Sequence, residues 1–463
     1  MKDTSIEFDR EMINRYNHSG PRYTSYPTAV TFHEGFSIKD YDTACRNGND
    51  DPVPAPLSLY FHVPFCDTVC FYCGCNKIVT KHKSRAKPYL EVLDREIEIV
   101  GAKFAADREV EQLHFGGGTP TFLSEDEISR VMWKVQSHFN ARPSDSKDYS
   151  IEIDPRSVTP HYIKVLGTLG FNRYSLGVQD VDLKVQKAVN RVQSVKMTRD
   201  VLSACRDAGA KSINIDLIYG LPFQTPDSFR ETVDVVIGMN PDRLSIFNYA
   251  HLPEMFKAQR RINAQDLPGP EQKLQILQNT IEQLSDAGYV YIGMDHFAKP
   301  DDELVIARET GHLHRNFQGY TTHGNCDLVA MGVSAISKIR GVFSQNYKDE
   351  ESYTAALSKG ELPILKGYAM NDEDRLRAAV IQRIACYGEL DIPAFEQRYE
   401  IDFKAHFHTA LEALQPMLED GLVNISDRSL EVTAKGRLLV RNICMAFDEH
   451  IQNTGNKRFS KAI

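Results

Sequence analysis

The sequence predicts an α/β fold: a partial barrel of the (β/α)6 type, with an N-terminal extension and a mainly helical, winged-helix-like C-terminal domain. Three observations carry this expectation. From Leu57 onward, short apolar runs alternate with amphipathic stretches. Glycines and polar residues gather just after those runs. From about Asn371 the rhythm changes to helices followed by a small hairpin. The expected divisions are an extension over 1–55 covering the site, the barrel with its own extension over 56–370, and the C-terminal domain over 371–463.

The predicted strands are LSLYFHV (Leu57–Val63), VEQLHF (Val110–Phe115), YSIEI (Tyr149–Ile153), RYSLGV (Arg173–Val178), SINIDLIYG (Ser212–Gly220) and DRLSIFNYA (Asp242–Ala250). Between the first two, Tyr89, Leu90, Leu93, Ile97 and Val100 share one helical face. Val201, Leu202, Cys205 and Ala208 do the same further on, and Gly209 suits a helix stop. Such alternation implies parallel strands with right-handed crossovers. VYIGMDHFA (Val290–Ala298) and LVAMGVSAIS (Leu328–Ser337) are two further runs able to extend the sheet. A doubly wound sheet satisfies the same pattern and stays open as an alternative. The polar rim at the C-terminal ends of the strands comprises Gly116–Thr119, Glu152, Asp154, Gln179, Asp216 and Asn248. Ligands of parallel α/β folds bind at that edge.

Composition sets the outer bounds. A chain with 42% hydrophobic and 25% charged residues is able to bury a large core. Its net charge of −9 argues against a broad nucleic-acid surface. The winged-helix-like region carries 12 Lys+Arg against 15 Asp+Glu, which suits a structural or substrate-covering module rather than a DNA binder. No apolar run approaches the roughly 18 residues of a membrane span, and the start has no signal-like apolar core. A cytoplasmic location is expected, where thiols stay reduced.

Four of the nine cysteines crowd into HVPFCDTVCFYCGCN, from His62 to Asn76. Cys66, Cys70 and Cys73 are spaced C-x3-C-x2-C, with Cys75 one residue further on. A structural zinc usually takes two separated ligand pairs. A redox C-x2-C pair leaves Cys66 unused. Soft thiolates also suit iron–sulfur clusters, and three ligands on a four-iron cube leave one iron open.

With Tyr72 before the third cysteine, this loop resembles the signature of radical S-adenosylmethionine (SAM) enzymes. The resemblance implies a 4Fe-4S cluster with SAM on the open iron, and reductive cleavage of SAM to a 5′-deoxyadenosyl radical. FGGGTPT (Phe115–Thr121) then resembles the SAM-binding glycine turn, with Thr119 where an acid is usual. Glu152 suits the ribose hydroxyls, and Arg191 and Asp216 suit the SAM carboxylate and amino groups.

The likeness extends along the chain through SGPRYTSYPT, IEIDPR, NRYSLGVQD, NIDLIYGLPFQT, GMDHFA, LHRNFQGYTT and VTAKGRLLVRNICMAFD. These resemble the oxygen-independent coproporphyrinogen III oxidases of haem (porphyrin) biosynthesis. Membership implies Cys66, Cys70 and Cys73 as cluster ligands and two SAM molecules. Tyr60, Gly117, Glu152, Ala250 and Ile336 would contact the cluster-bound SAM; for Ala250 and Ile336 the residues alone read as barrel core. Tyr72, Gly118, Thr119, Gln179, Arg191 and Asp216 would contact the second SAM. The reaction implied is oxidative decarboxylation of two propionates of coproporphyrinogen III to vinyl groups. Its radical is cofactor-borne, so no protein residue is named as catalytic. Arg22, with Arg15, is a candidate for the substrate propionates. A reduced flavodoxin- or ferredoxin-type electron donor and a monomeric state are also expected. The role of Cys75 stays open between a small buried residue and a group near substrate. A haem-carrying relative of the same superfamily would lack the leader motif and the GCN after the third cysteine; both are present.

Overall fold

The computed structural model describes residues 5–451 and Phe459. They form two compact units, one of residues 32–273 and 325–369, the other of residues 1–31, 274–324 and 370–463.

The first unit is built on a sheet whose strands are β1 (Leu57–Val63), β2 (Val110–Gly117), β3 (Asp148–Ile153), β4 (Arg173–Gln179), β5 (Ser212–Tyr219), β6 (Arg243–Asn248), β7 (Asp327–Met331), β8 (Ile336–Ile339), β9 (Val342–Asn346) and β10 (Ile364–Ala369). β1 to β6 pair in sequence order, each parallel to the next. A doubly wound sheet reverses its strand order at a switch point; the run from β1 to β6 has no such reversal, so it walks in one direction as a barrel wall does. β7 adds to the free side of β1, again parallel. β8, β9 and β10 then continue antiparallel.

The predicted strands lie within two residues of the observed ones. Helix Ala86–Gly101 buries Tyr89, Leu90, Leu93, Ile97 and Val100, the face read from the sequence. Helix Val195–Asp207 buries Val201, Leu202 and Cys205, and Gly209 follows at φ +85°. Two apolar runs each contain a turn. Leu328–Ser337 breaks after β7 at Gly332 (φ +100°) and Ser334 (φ +61°) and returns as β8. Val290–Ala298 is a hairpin of Val290–Gly293 and His296–Ala298, turning through Met294 at φ +51°.

Helix Ala86–Gly101 is fastened by Glu96, which is 1% exposed. Its carboxylate accepts from the Gly332 N–H at 2.7 Å, the Asn346 side chain at 2.7 Å and the Tyr353 hydroxyl. Burial pushes this carboxyl from 4.5 up to about 7, against those hydrogen bonds. Between these two values the folded chain therefore binds more protons here than the unfolded chain. The Glu96 contribution to stability should be full at about pH 4.5, decline as pH rises through about 7, and level off above. Urea unfolding from pH 5 to 8 checks this: Glu96→Gln should vary less with pH than the parent. Equal pH slopes would refute the assignment.

In the second unit, helix Asp372–Tyr387 starts from an Asn371–Asp374 capping box and stops at Gly388, φ +68°. Glu389–Asp391, Ser429–Val432 and Val423–Ile425 form a three-stranded sheet with the middle segment central. Helices with this small sheet match the winged-helix-like expectation. The sequence GRLLVRNICMAFDEHI reads as a single final helix; the structure instead has a 3-10 turn, Arg437–Leu439, before a short helix, Val440–Met445. Residues from Leu438 to Cys444 are all buried, so the segment is core throughout, without an exposed face to sustain a long amphipathic helix.

Candidate functional site

The C-terminal ends of β1 to β5 open onto a cavity of about 350 Å³ in the first unit. Its wall includes Cys66, Cys70, Tyr72, Cys73, Gly117, Gly118, Thr119, Glu152, Gln179, Arg191 and Asp216. Eleven sequence candidates thus share one wall. Tyr60, Ala250 and Ile336 are not among the residues lining it. Tyr60 hydrogen-bonds His62 Nδ1 at 3.2 Å and stacks on His114 at 5.7 Å. Ala250 follows β6, and Ile336 opens β8. Arg22 belongs to the other unit, where it is ion-paired with Asp295.

The cysteine loop is held by backbone bonds. Phe65 and Cys66 pair in parallel with Ile78 and Val79, and the Thr80 N–H donates to the Cys66 carbonyl at 2.9 Å. The Phe71 N–H reaches Val189 O at 3.0 Å, and Asn190 donates to Val69 O at 2.8 Å. Gln259, 2% exposed, donates from one amide nitrogen to Tyr72 O at 2.8 Å and Ala250 O at 3.2 Å, and accepts from the Leu252 N–H at 2.6 Å. One buried amide therefore ties Tyr72 to the segment after β6.

The glycine turn lies against this loop. Gly118 N–H donates to Val63 O at 2.9 Å, and Thr119 N–H to Phe65 O at 2.8 Å. A Cβ on Gly118 would stand 2.8 Å from the Pro64–Phe65 backbone, so only glycine permits the approach. Gly117, at φ +115°, donates to Glu152 Oε2 at 3.2 Å.

Charge is concentrated at Cys70. The Arg191 guanidinium, on a residue 7% exposed, lies 3.6 Å from its sulfur and 3.0 Å from Asp154. Arg156 approaches the same sulfur at 3.8 Å and the same carboxylate at 2.7 Å. Burial alone would push the Asp154 carboxyl up; the two cations outweigh it and hold it below the usual range. Burial pushes the Cys66 thiol up to about 11, although the Thr119 hydroxyl sits 3.5 Å away. Cys73 goes the other way, held below the usual thiol range by hydrogen bonding from Cys75 and the nearby Lys77 ammonium. Asp216 is pushed up to about 6 by burial, against hydrogen bonds from Ser175 and Asn214.

The donor set fits an iron–sulfur cluster better than one zinc ion. A tetrahedral zinc with bonds of about 2.3 Å draws its ligands to about 3.8 Å from one another. The sulfurs of Cys66, Cys70 and Cys73 do not all lie within 4.8 Å of one another. Separate corners of a larger cluster suit that spread.

Sequence reasoning missed Arg156, Ser175 and Gln259. Arg156 had a signal: in IEIDPR the Asp-Pro step places Asp154 as a cap, its side chain accepting from the Arg156 N–H at 3.0 Å. Ser175 and Gln259 had none.

Residues 60–236 match the model of the radical SAM superfamily, and residues 370–439 that of the HemN C-terminal domain. The chain is 54% identical over 463 residues to the oxygen-independent coproporphyrinogen III oxidase of Pseudomonas aeruginosa, covering 100% of both chains. It is 47% identical to that of Escherichia coli, again over 100% of both. A solved structure of the Escherichia coli coproporphyrinogen III oxidase, described as a radical SAM enzyme, superposes with a TM-score of 0.91 at 46% identity, over 96% of this chain and 100% of that one. With likeness of this extent along its whole length, the chain belongs to the oxygen-independent coproporphyrinogen III oxidases of the radical SAM superfamily.

Proposed function

We propose that this chain oxidatively decarboxylates two propionate side chains of coproporphyrinogen III to vinyl groups, giving protoporphyrinogen IX in anaerobic haem biosynthesis. The observation that carries the reading is the cavity where the cysteine trio, the glycine turn, Glu152 and Asp216 meet. Cys66, Cys70 and Cys73 would hold a 4Fe-4S cluster, with SAM at its open iron. Together, when bound, these supply a 5′-deoxyadenosyl radical for hydrogen abstraction from the propionate β-carbon. Each propionate then loses CO2 and one electron as the vinyl group forms.

The chain's own residues bind, orient and shield. Tyr60, Gly117, Glu152, Ala250 and Ile336 are assigned to the cluster-bound SAM. Tyr72, Gly118, Thr119, Gln179, Arg191 and Asp216 are assigned to a second SAM. Arg191 offers a cation to a carboxylate, and the ionised Asp216 an anion to an ammonium. The leader, with Arg22 for a propionate, completes the reading as a cover over a large carboxylated ring. A monomer in the cytoplasm, reduced by a flavodoxin- or ferredoxin-type protein, belongs to it too. No described helix is long and apolar enough to cross a membrane.

Glu152→Ala should weaken SAM binding ten- to a hundred-fold, the loss of roughly 1.5–3 kcal/mol for a charged hydrogen bond, with the cluster spectrum intact. Unchanged affinity by calorimetry would reduce Glu152 to the partner of the Gly117 N–H. The whole reading is tested by anaerobic incubation of reconstituted protein with SAM, coproporphyrinogen III, an electron donor and an acceptor. Mass spectrometry should find a singly decarboxylated intermediate, then protoporphyrinogen IX, with one SAM consumed per vinyl formed. Abundant 5′-deoxyadenosine beside unchanged substrate would favour the haem carrier.

A further inference from the structure

Residues 76–90, immediately after the cysteine loop, contain Lys77, Lys81, Lys83, Arg85 and Lys87 and no acidic residue. The chain as a whole carries −9, so this segment stands out against an acidic background. The fold places it beside the candidate centre. Val79 pairs with Cys66 in the short parallel ladder, and the next residue, Thr80, donates its N–H to the Cys66 carbonyl at 2.9 Å. Val79 is 44% exposed, a large apolar side chain turned to solvent. Lys81, Lys83, Arg85 and Lys87 are exposed around it along the chain. Lys83 pairs with Asp67 at 2.9 Å and Arg85 with Glu350 at 2.7 Å. Lys81 and Lys87 make no ion pair among the described residues.

We propose that the surface around Val79, Lys81 and Lys87 is the docking face for an acidic one-electron carrier protein that reduces the centre held by the cysteine loop. This rests on the functional reading above, because a SAM-cleaving cluster must receive an electron from outside. The carrier is oxidised by one electron and the cluster reduced by one, with no bond made or broken in either protein. One exposed valine within a cationic stretch of chain suits a weak electron-transfer encounter below about 1,200 Å². Opposite charges raise the encounter rate by roughly 10- to 1,000-fold, an effect that salt screens. The strand carrying Val79 is one backbone hydrogen bond from Cys66, so a partner seated there is close to a ligand of the centre.

The test is anaerobic stopped-flow reduction of the reconstituted protein by a reduced flavodoxin, an acidic carrier, with titanium(III) citrate as the small-reductant control. The double variant Lys81→Glu/Lys87→Glu should be reduced at least about ten-fold more slowly by flavodoxin at low salt, with the gap closing near 0.5 M NaCl. Calorimetry should show weaker flavodoxin binding to the loaded variant. Iron content, SAM affinity and the titanium rate should be those of the parent. The milder Lys81→Gln/Lys87→Gln should fall between the two. An unchanged flavodoxin rate, equal slowing with titanium, or a raised KM for coproporphyrinogen III with normal flavodoxin reduction would each overturn the docking face. A parent chain that takes up no cluster would overturn the functional reading, and the docking face with it.

Discussion

Serine at Cys66, Cys70 or Cys73 is expected to abolish iron–sulfur binding and SAM cleavage, while Cys75→Ser keeps the cluster. Each of the three sulfurs is positioned by a different part of the fold. Cys66 sits in the two-residue ladder with Val79. Cys70 faces the Arg191 and Arg156 guanidiniums at 3.6 and 3.8 Å. Cys73 accepts from the Cys75 N–H at 3.5 Å. An alcohol is a hard, weakly acidic ligand for iron, and its deprotonation costs far more than that of a thiol. With three protein ligands, no spare one replaces a loss. Iron and sulfide should therefore fall from about four each per chain to near zero. Cys75 differs because its contribution to Cys73 comes from a hydrogen bond, which a serine hydroxyl and the same backbone N–H retain. The visible spectrum after anaerobic reconstitution reads all four variants. Loss of the cluster in Cys75→Ser with retention in Cys73→Ser would reassign the trio.

The part of this site most legible in the sequence is the one whose residues are neighbours in the chain. Shrinking intervals between Cys66, Cys70, Cys73 and Cys75 made the loop visible at once. Glu152 and Gln179 were visible because they close apolar runs at the rim shared by all parallel strands, and Asp216 because a lone carboxylate stands inside an otherwise apolar run that continues through Leu217–Tyr219. Gln259 was invisible because its partner Tyr72 lies 187 residues away, and no local pattern distinguishes a buried glutamine from an exposed one. The run Leu328–Ser337 extends the sheet as expected, but its turn at Ser334 was hidden for another reason. Ser334 turns at φ +61° without being glycine, so the apolar run over Leu328–Ser337 shows no break at that position. The leader was legible as a separate extension, but its packing was not. Within its own unit, Tyr16 meets Asp420 at a separation of 404 residues and Tyr23 meets Asp448 at 425.

That packing gives the second large effect: deletion of residues 1–31 should unfold the core of the unit that contains residues 370–451. Tyr16, Tyr23 and Tyr26 are 7%, 3% and 5% exposed and belong to the same apolar cluster as Leu376, Val440, Ile443 and Phe447. Tyr16 donates to Asp420 at 2.6 Å, beside an Arg15–Asp420 pair at 2.8 Å. Tyr23 donates to Asp448 at 2.9 Å. The buried Arg441 guanidinium is satisfied by the carbonyls of Gly20 and Pro21. Losing one buried aromatic costs about 3–5 kcal/mol, and stranding a buried charge adds to that. Three together reach about 10 kcal/mol, the whole stability of an ordinary domain. Hydrogen exchange of the truncated chain should show protection lost from Leu376 to Phe447, and calorimetry a missing transition. The milder Tyr23→Phe removes a single hydrogen bond and should cost about 1–3 kcal/mol, because it leaves Asp448 without that donor. A leader acting only as a cover would behave differently: its removal would lower turnover while leaving the melt and the exchange pattern of Leu376–Phe447 unchanged. That outcome would return the tyrosines to a covering role and refute their place in the core.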